Sequence, residues 1–256
     1  MTSDILFYTL LAIMPSYIWL LFFLRQDKNP EPKTRILTIF LLGIVSAIPV
    51  VAAEEGLLSL AENFSTLPMT GFFIVALTAF FKIFIAVALV EELFKYFVVK
   101  LTVFGHHDFD EPMDVPIYMI VSALGFAAAE NILIMNNTLY EAAIDPYLLI
   151  TARLLGATFL HALASALFGC FIALSFYNLK KRNFYFLCGL GAATLLHGFY
   201  NFFIMNSREH FQFGSLFLLL VSVGIFLFVF FRKIKKLKSA ADTLIRAPGK
   251  RRPQMK

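Results

Sequence analysis

Charge is what this sequence has least of. Asp, Glu, Lys and Arg make up 15% of its 256 residues, against about a quarter of a soluble domain. Too little polar surface remains to cover the chain in water. Cysteine is nearly absent as well. Cys170 and Cys188 both lie in apolar runs, which excludes a disulfide framework and any C-x-x-C zinc motif. No H-E-x-x-H occurs, so an ordinary zincin is excluded. The first residues carry one charge, Asp4, and no basic cluster, so the first apolar run reads as an uncleaved membrane helix and not as a signal peptide.

What is abundant is apolar. Hydrophobic residues reach 59%, Phe alone occurs 31 times, and the mean hydropathy is +0.77. About 20 apolar residues cross the hydrocarbon core as a helix. Seven segments qualify: Ile5–Leu24, Ile36–Leu60, Gly71–Val99, Val115–Met135, Tyr147–Tyr177, Phe184–Met205 and Phe213–Phe231. The fold class is therefore all-α, a polytopic transmembrane bundle of about seven spans. Pro15 and Pro49 are expected to kink their helices.

Lys and Arg distribute unevenly over the connections. They follow the first, third, fifth and seventh segments, while 62–70 and 136–146 have none. The positive-inside rule then places the N-terminus outside and the C-terminus in the cytoplasm, with Arg208 as an exception. Residues 1–231 form one membrane domain. Residues 232–256 form a cytoplasmic tail with ten basic residues and one acid, Asp242. That tail suits anionic lipid headgroups, and nothing else in the chain supports nucleic-acid binding.

Ionisable groups inside membrane helices are costly and mark function by default. Here they are Lys82, Glu91, Glu92 and Lys95 on the third segment, Glu130 on the fourth, Arg153 and His161 on the fifth and His197 on the sixth. At 1.5 Å per residue, Glu130, His161 and His197 each lie about 20 Å from one end of their helices, close to mid-bilayer. Glu91 and Lys95 share a face, as do His161 with Ser165 and His197 with Asn201. Small residues, among them Ala157, Gly169, Gly189 and Ala193, line the histidine stripes and let helices approach. Structural explanations exist for each item: a Glu91–Lys95 ion pair, Glu130 neutralising Arg153 or Lys95, and a His197–Asn201 hydrogen-bond clamp. Glu54 and Glu55 sit at the outer end of the second segment, where water is available, and carry no catalytic expectation. Lys82 has no assigned role.

Four segments carrying carboxylates and imidazoles to one depth suit hydrolysis. That reaction needs an activated water, a proton for the leaving amine and donors for the oxyanion. His161, His197 and Asn201 would serve as oxyanion donors or, for the histidines, as metal ligands. Two His and a carboxylate with one open position also describe a catalytic zinc site. Metal-free glutamate catalysis and catalysis by a divalent metal such as zinc both remain open.

The motifs also resemble a family. Glu91-Glu92-Leu93-Phe94-Lys95 resembles the E-E-x-x-K motif of PrsW-type intramembrane proteases. Asp110-Glu111-Pro112-Met113-Asp114 resembles the D-E-P-x-D segment that follows it. Gly125-Phe126 through Glu130-Asn131 is similar to G-F-x-x-x-E-N, and His161 and His197 complete the order. Asn201 stands where the family usually shows Asp. The resemblance spans about residues 85–205 and implies a protease core near 71–205. It further implies a multi-pass protease of the bacterial cytoplasmic membrane, acting on a single-pass membrane protein such as an anti-sigma factor cut at site one. Kinship with CAAX prenyl endopeptidases and bacteriocin-immunity proteins is implied too. By motif position, Glu91 or Glu92 activates water, and Glu130, His161 and His197 complete the site, being also the metal ligands if a metal is used. Lys95, Asn131, Arg153 and Ser165 support it. Three rivals are weighed. An ion- or proton-coupled transporter would show paired broken helices, which the sequence does not suggest. A CAAX protease would carry Arg in place of Lys95 and His in place of Glu130. An immunity protein would keep the fold without catalysis.

Overall fold

A computed structural model describes residues 2–25, 30–65, 71–104, 114–141 and 145–206, together with 214, 216, 218–230 and 232. The described residues are helical, with no strand among them. The D-E-P-M stretch, 110–113, and the basic tail beyond Arg232 lie outside them.

The helices are α1 (Thr2–Leu24), α2 (Lys33–Ser65), α3 (Phe72–Phe80), α4 (Val90–Thr102), α5 (Asp114–Glu141), α6 (Pro146–Leu155), α7 (Ala157–Tyr177) and α8 (Arg182–Asn206). Six helical spans are long and apolar enough to cross a membrane, and Leu218–Phe230, here α9, is a shorter apolar helix. The chain is a multi-pass membrane protein. Its outward faces carry large apolar side chains such as Ile48 and Leu101, a surface that water tolerates poorly over such an area and lipid does not oppose.

α5 is the central helix and packs on α1, α2 and α7, while α8 packs on α7. Glycine explains the closest approach. A Cβ on Gly125 of α5 would fall 2.1 Å from the Phe40 carbonyl oxygen of α2, and one on Gly43 would fall 2.4 Å from the Ser122 carbonyl oxygen. Only paired glycines let these two backbones meet. Gly169 plays the same part between α7 and Pro116 of α5. The tight packing expected from small residues on the histidine stripes is present.

Two features of the backbone depart from the sequence reading. The third span is not a uniform α-helix, because Phe81–Leu89 between α3 and α4 is π-helical. Phe84 of this stretch lies edge-on to Phe199 and abuts Gly198 of α8. The fifth span is interrupted at Gly156, where α6 ends and α7 begins. The sequence suggests no paired broken helices, and this is a single interruption. Gly156 is required because a side chain there would collide with the Tyr200 hydroxyl. The Trp19 indole of α1 donates to the Leu154 carbonyl at 2.7 Å and stacks on Phe159, spanning the break. Pro15 and Pro49 both lie inside their helices.

Candidate active site

The site starts from three residues on one turn of α4. Glu91, Glu92 and Lys95 are all buried, Glu92 and Lys95 completely. Lys95 Nζ donates to Glu91 Oε2 at 3.0 Å and to Glu92 Oε1 at 2.8 Å. Spacings of three and four residues place these groups on one face. The π-helical stretch ends directly before this turn, and such stretches recur beside functional sites.

Three further helices supply the rest. From α7, Ser165 Oγ donates to Glu92 Oε2 at 2.8 Å. From α8, His197 Nδ1 meets Glu92 Oε1 at 3.1 Å. Glu92 thus has both oxygens engaged inside the bundle. His161 of α7 lies 2.8 Å through Nε2 from Glu130 Oε2 of α5, and 2.9 Å through Nδ1 from Lys95 Nζ. The two imidazoles stand perpendicular, with centroids 4.9 Å apart.

Partners decide the tautomers. An ammonium can only donate, so His161 Nδ1 accepts from Lys95 and Nε2–H donates to Glu130. His197 Nδ1–H donates to Glu92, leaving Nε2 with its lone pair. Both of these nitrogens lie near Glu91: Oε2 is 3.7 Å from His161 Nδ1 and 3.8 Å from His197 Nε2.

A second tier lies beyond Glu130. Arg153 of α6 donates through Nη2 to Glu130 Oε2 at 2.7 Å and through Nε to Asn131 Oδ1 at 2.6 Å. Asn131 in turn donates to Thr158 Oγ1 at 3.1 Å. α6 has no buried residue of its own, so this clamp is its main polar tie to the bundle. Glu130 does neutralise Arg153, and Glu91 does pair with Lys95. Both structural explanations hold, inside one connected network.

Of the expected residues, Glu91, Glu92, Lys95, Glu130, Asn131, Arg153, His161, Ser165 and His197 are joined by hydrogen bonds or ion pairs. Asn201 is not joined. It lies half-buried one turn beyond His197, and no clamp between the two exists among the described residues. Lys82 lies away from the site, 3.8 Å from Glu62 at the end of α2.

The donor set differs from the one expected. Among the described residues, the group whose donor atoms come within 4.8 Å of one another is Glu91, His161 and His197. Glu130 instead holds the far nitrogen of His161. Zinc takes imidazole and carboxylate in fours, with one position open to water in catalytic sites. Metal-bound histidines characteristically place their other nitrogen on a carboxylate or carbonyl. His161 with Glu130, and His197 with Glu92, both do so. The residues fit a divalent ion.

One residue was missed. Glu54 was assigned to water at the outer end of α2, yet its Oε1 is buried and has no hydrogen-bond partner among the described residues. Val50, one turn earlier, packs against Phe126, Val90 and Ala129. Glu91 and Glu130 follow the last two in sequence, and both are charged neighbours of Glu54. The four-residue spacing from Val50 was the available signal.

Known proteins resemble this chain in sequence. A family model described as PrsW family intramembrane metalloprotease matches residues 31–231. The chain belongs to the PrsW family of intramembrane proteases. Curated proteins named Protease PrsW are similar along most of their length. That of Geobacillus kaustophilus is 30% identical over 198 residues, 77% of this chain and 79% of the relative. That of Bacillus subtilis is 29% identical over 184 residues, 72% and 75%. That of Halalkalibacterium halodurans is 26% identical over 230 residues, 90% and 94%. No solved structure matches the chain significantly. Within the PrsW family this chain is a peptidase of the cell membrane, and the CAAX, immunity and transporter alternatives fall behind.

Proposed function

We propose that the chain cleaves a single-pass membrane protein within the bilayer at a site centred on Glu91, His161 and His197. The family resemblance makes a membrane-spanning anti-sigma factor the substrate to try first. The observation that carries the reading is the orientation of the two histidines. Each is held by a carboxylate on its far nitrogen, Glu130 for His161 and Glu92 for His197, and each turns its near nitrogen to Glu91.

Glu91, His161 and His197 would hold a divalent ion of the zinc class. Such an ion supplies a Lewis acid that acidifies water and polarises the scissile carbonyl. The protein's own groups divide the remaining work. Glu91 is the acid of the α4 pair that faces both imidazoles and meets the reacting water. Glu92, whose oxygens are committed to Lys95, Ser165 and His197, positions and does not react. Glu130 fixes the tautomer of His161. Asn201, untied and one turn from His197, is free to donate its amide to the substrate carbonyl oxygen. Burial keeps bulk water out, so these dipoles act at low dielectric, where they are strongest.

The test is cleavage of a single-pass substrate co-reconstituted in liposomes, with metal content measured on the same preparation. His161→Ala is expected to abolish cleavage and to lose bound metal while the helical signal persists. Full cleavage by this variant would end the assignment. A metal-free, chelator-resistant but active wild type would confine the chemistry to the carboxylates.

A further inference from the structure

Lys95 has no contact with solvent. Its ammonium has three hydrogens to donate, and three acceptors surround it: Glu91 Oε2 at 3.0 Å, Glu92 Oε1 at 2.8 Å and His161 Nδ1 at 2.9 Å. The Phe126 ring closes the remaining side, with its centroid 4.6 Å from Nζ.

Two of these three acceptors also belong to the ion-holding trio. Glu91 Oε2 is the atom that faces both imidazoles. His161 Nδ1 has a single in-plane lone pair, because its other nitrogen bonds Glu130. One lone pair serves either an N–H donor or a metal ion, not both. The third acceptor, Glu92 Oε1, lies outside the trio. An ammonium leaving His161 can therefore stay paired with Glu92 without leaving the bundle.

We propose that Lys95 is a tethered competitor for the divalent ion, surrendering His161 Nδ1 when the ion binds and reclaiming it when the ion leaves. This rests on the metal site proposed above and adds how occupancy is set. Three carboxylates of the network, Glu91, Glu92 and Glu130, face two permanent cations, Lys95 and Arg153. Without a resident cation on α4 the apo site would hold uncompensated acid in low dielectric, which is strongly unfavourable. Lys95 keeps the apo protein folded, and the same contact weakens its hold on metal. Occupancy then follows the free metal concentration instead of being permanent.

The experiment is a Co(II) titration of the purified full-length protein in detergent micelles. It reads ligand-field absorption, so proteolysis is not involved. Lys95→Met removes the charge and keeps the length of the stem. It is expected to bind Co(II) at least tenfold more tightly than wild type. Lys95→Arg keeps a fixed charge with more donors, and is expected to bind at least tenfold more weakly. A merely structural lysine would make both variants weaker. If wild type binds Co(II) and Lys95→Met binds no tighter, competition is overturned and the metal site stands. If neither takes up Co(II), the metal site itself is overturned, and competition with it. Should Lys95→Met fail to fold, Lys95→Arg decides: affinity equal to wild type overturns the proposal.

Discussion

Two Glu-Glu pairs lie in membrane helices of this chain, and they meet opposite fates. Glu91-Glu92 on α4 is buried and paired throughout. Glu54-Glu55 on α2 leaves Glu55 exposed and one oxygen of Glu54 buried without a partner among the described residues. The difference is not in the acids but in what stands near them. α4 carries a cation one turn on, at Lys95, and faces Ser165 and His197 across the bundle. α2 carries no Lys or Arg between Arg35 and its end at Ser65. A buried carboxylate persists at low dielectric when donors converge on it. Without them it becomes a cost.

The comparison breaks most sharply within the α4 pair itself. Glu91→Gln is expected to cut turnover by at least 10³-fold, on the scale of a lost catalytic group, with loss of bound metal and a smaller fall in thermal stability than Glu92→Gln. Glu92→Gln is expected to lose turnover too, and about 3 kcal/mol of stability besides, because Lys95, Ser165 and His197 all lose the buried carboxylate they share. Turnover of a reconstituted substrate and thermal melting in the same detergent separate the two. Equal stability for both variants would erase the division of roles. A smaller effect lies at the second tier. Arg153→Gln frees Glu130 and Asn131 together, and a 10–100-fold fall in metal affinity or cleavage is expected from the loosened His161. Unchanged rates would show that α6 only covers the site. The smallest effect tests the unpaired acid. Glu54→Leu removes from the neighbourhood of Glu91 and Glu130 an acid with a buried oxygen that has no partner among the described residues, and should raise stability by roughly 1 kcal/mol, as removing an unsatisfied buried group does. A loss of stability on melting would show that Glu54 is paired after all.

Much of this was readable from residue types and spacing. Polar groups are rare enough in these helices that Glu91, Glu130, His161 and His197 stand out singly, and their equal depth pointed to one cluster. Helical spacing found the Glu91–Lys95 contact and the Ser165 stripe. Spacing could not tell Glu91 from Glu92, because adjacent residues differ in which helix they face, and that depends on tertiary packing. For the same reason spacing could not show that Glu130 meets His161 through Nε2. The π-helical stretch from Phe81 to Leu89 left no signal. It contains neither proline nor glycine, and its apolar residues have no polar face to reveal a change of period. The interruption at Gly156 was equally silent, since glycine is common in membrane helices. Asn201 shows the opposite failure, a correct four-residue spacing from His197 without a hydrogen bond.

The widened turns before α4 have a consequence for sequence change along this span. In a regular helix each residue advances the side-chain direction by about 100°, so one inserted or deleted residue would swing every later group off its target. A π-helical stretch holds extra chain in the same rise. Slack of this kind between Gly71 and Val90 would let the N-terminal half of the span differ in length while Glu91 and Glu92 keep their bearing on the two imidazoles.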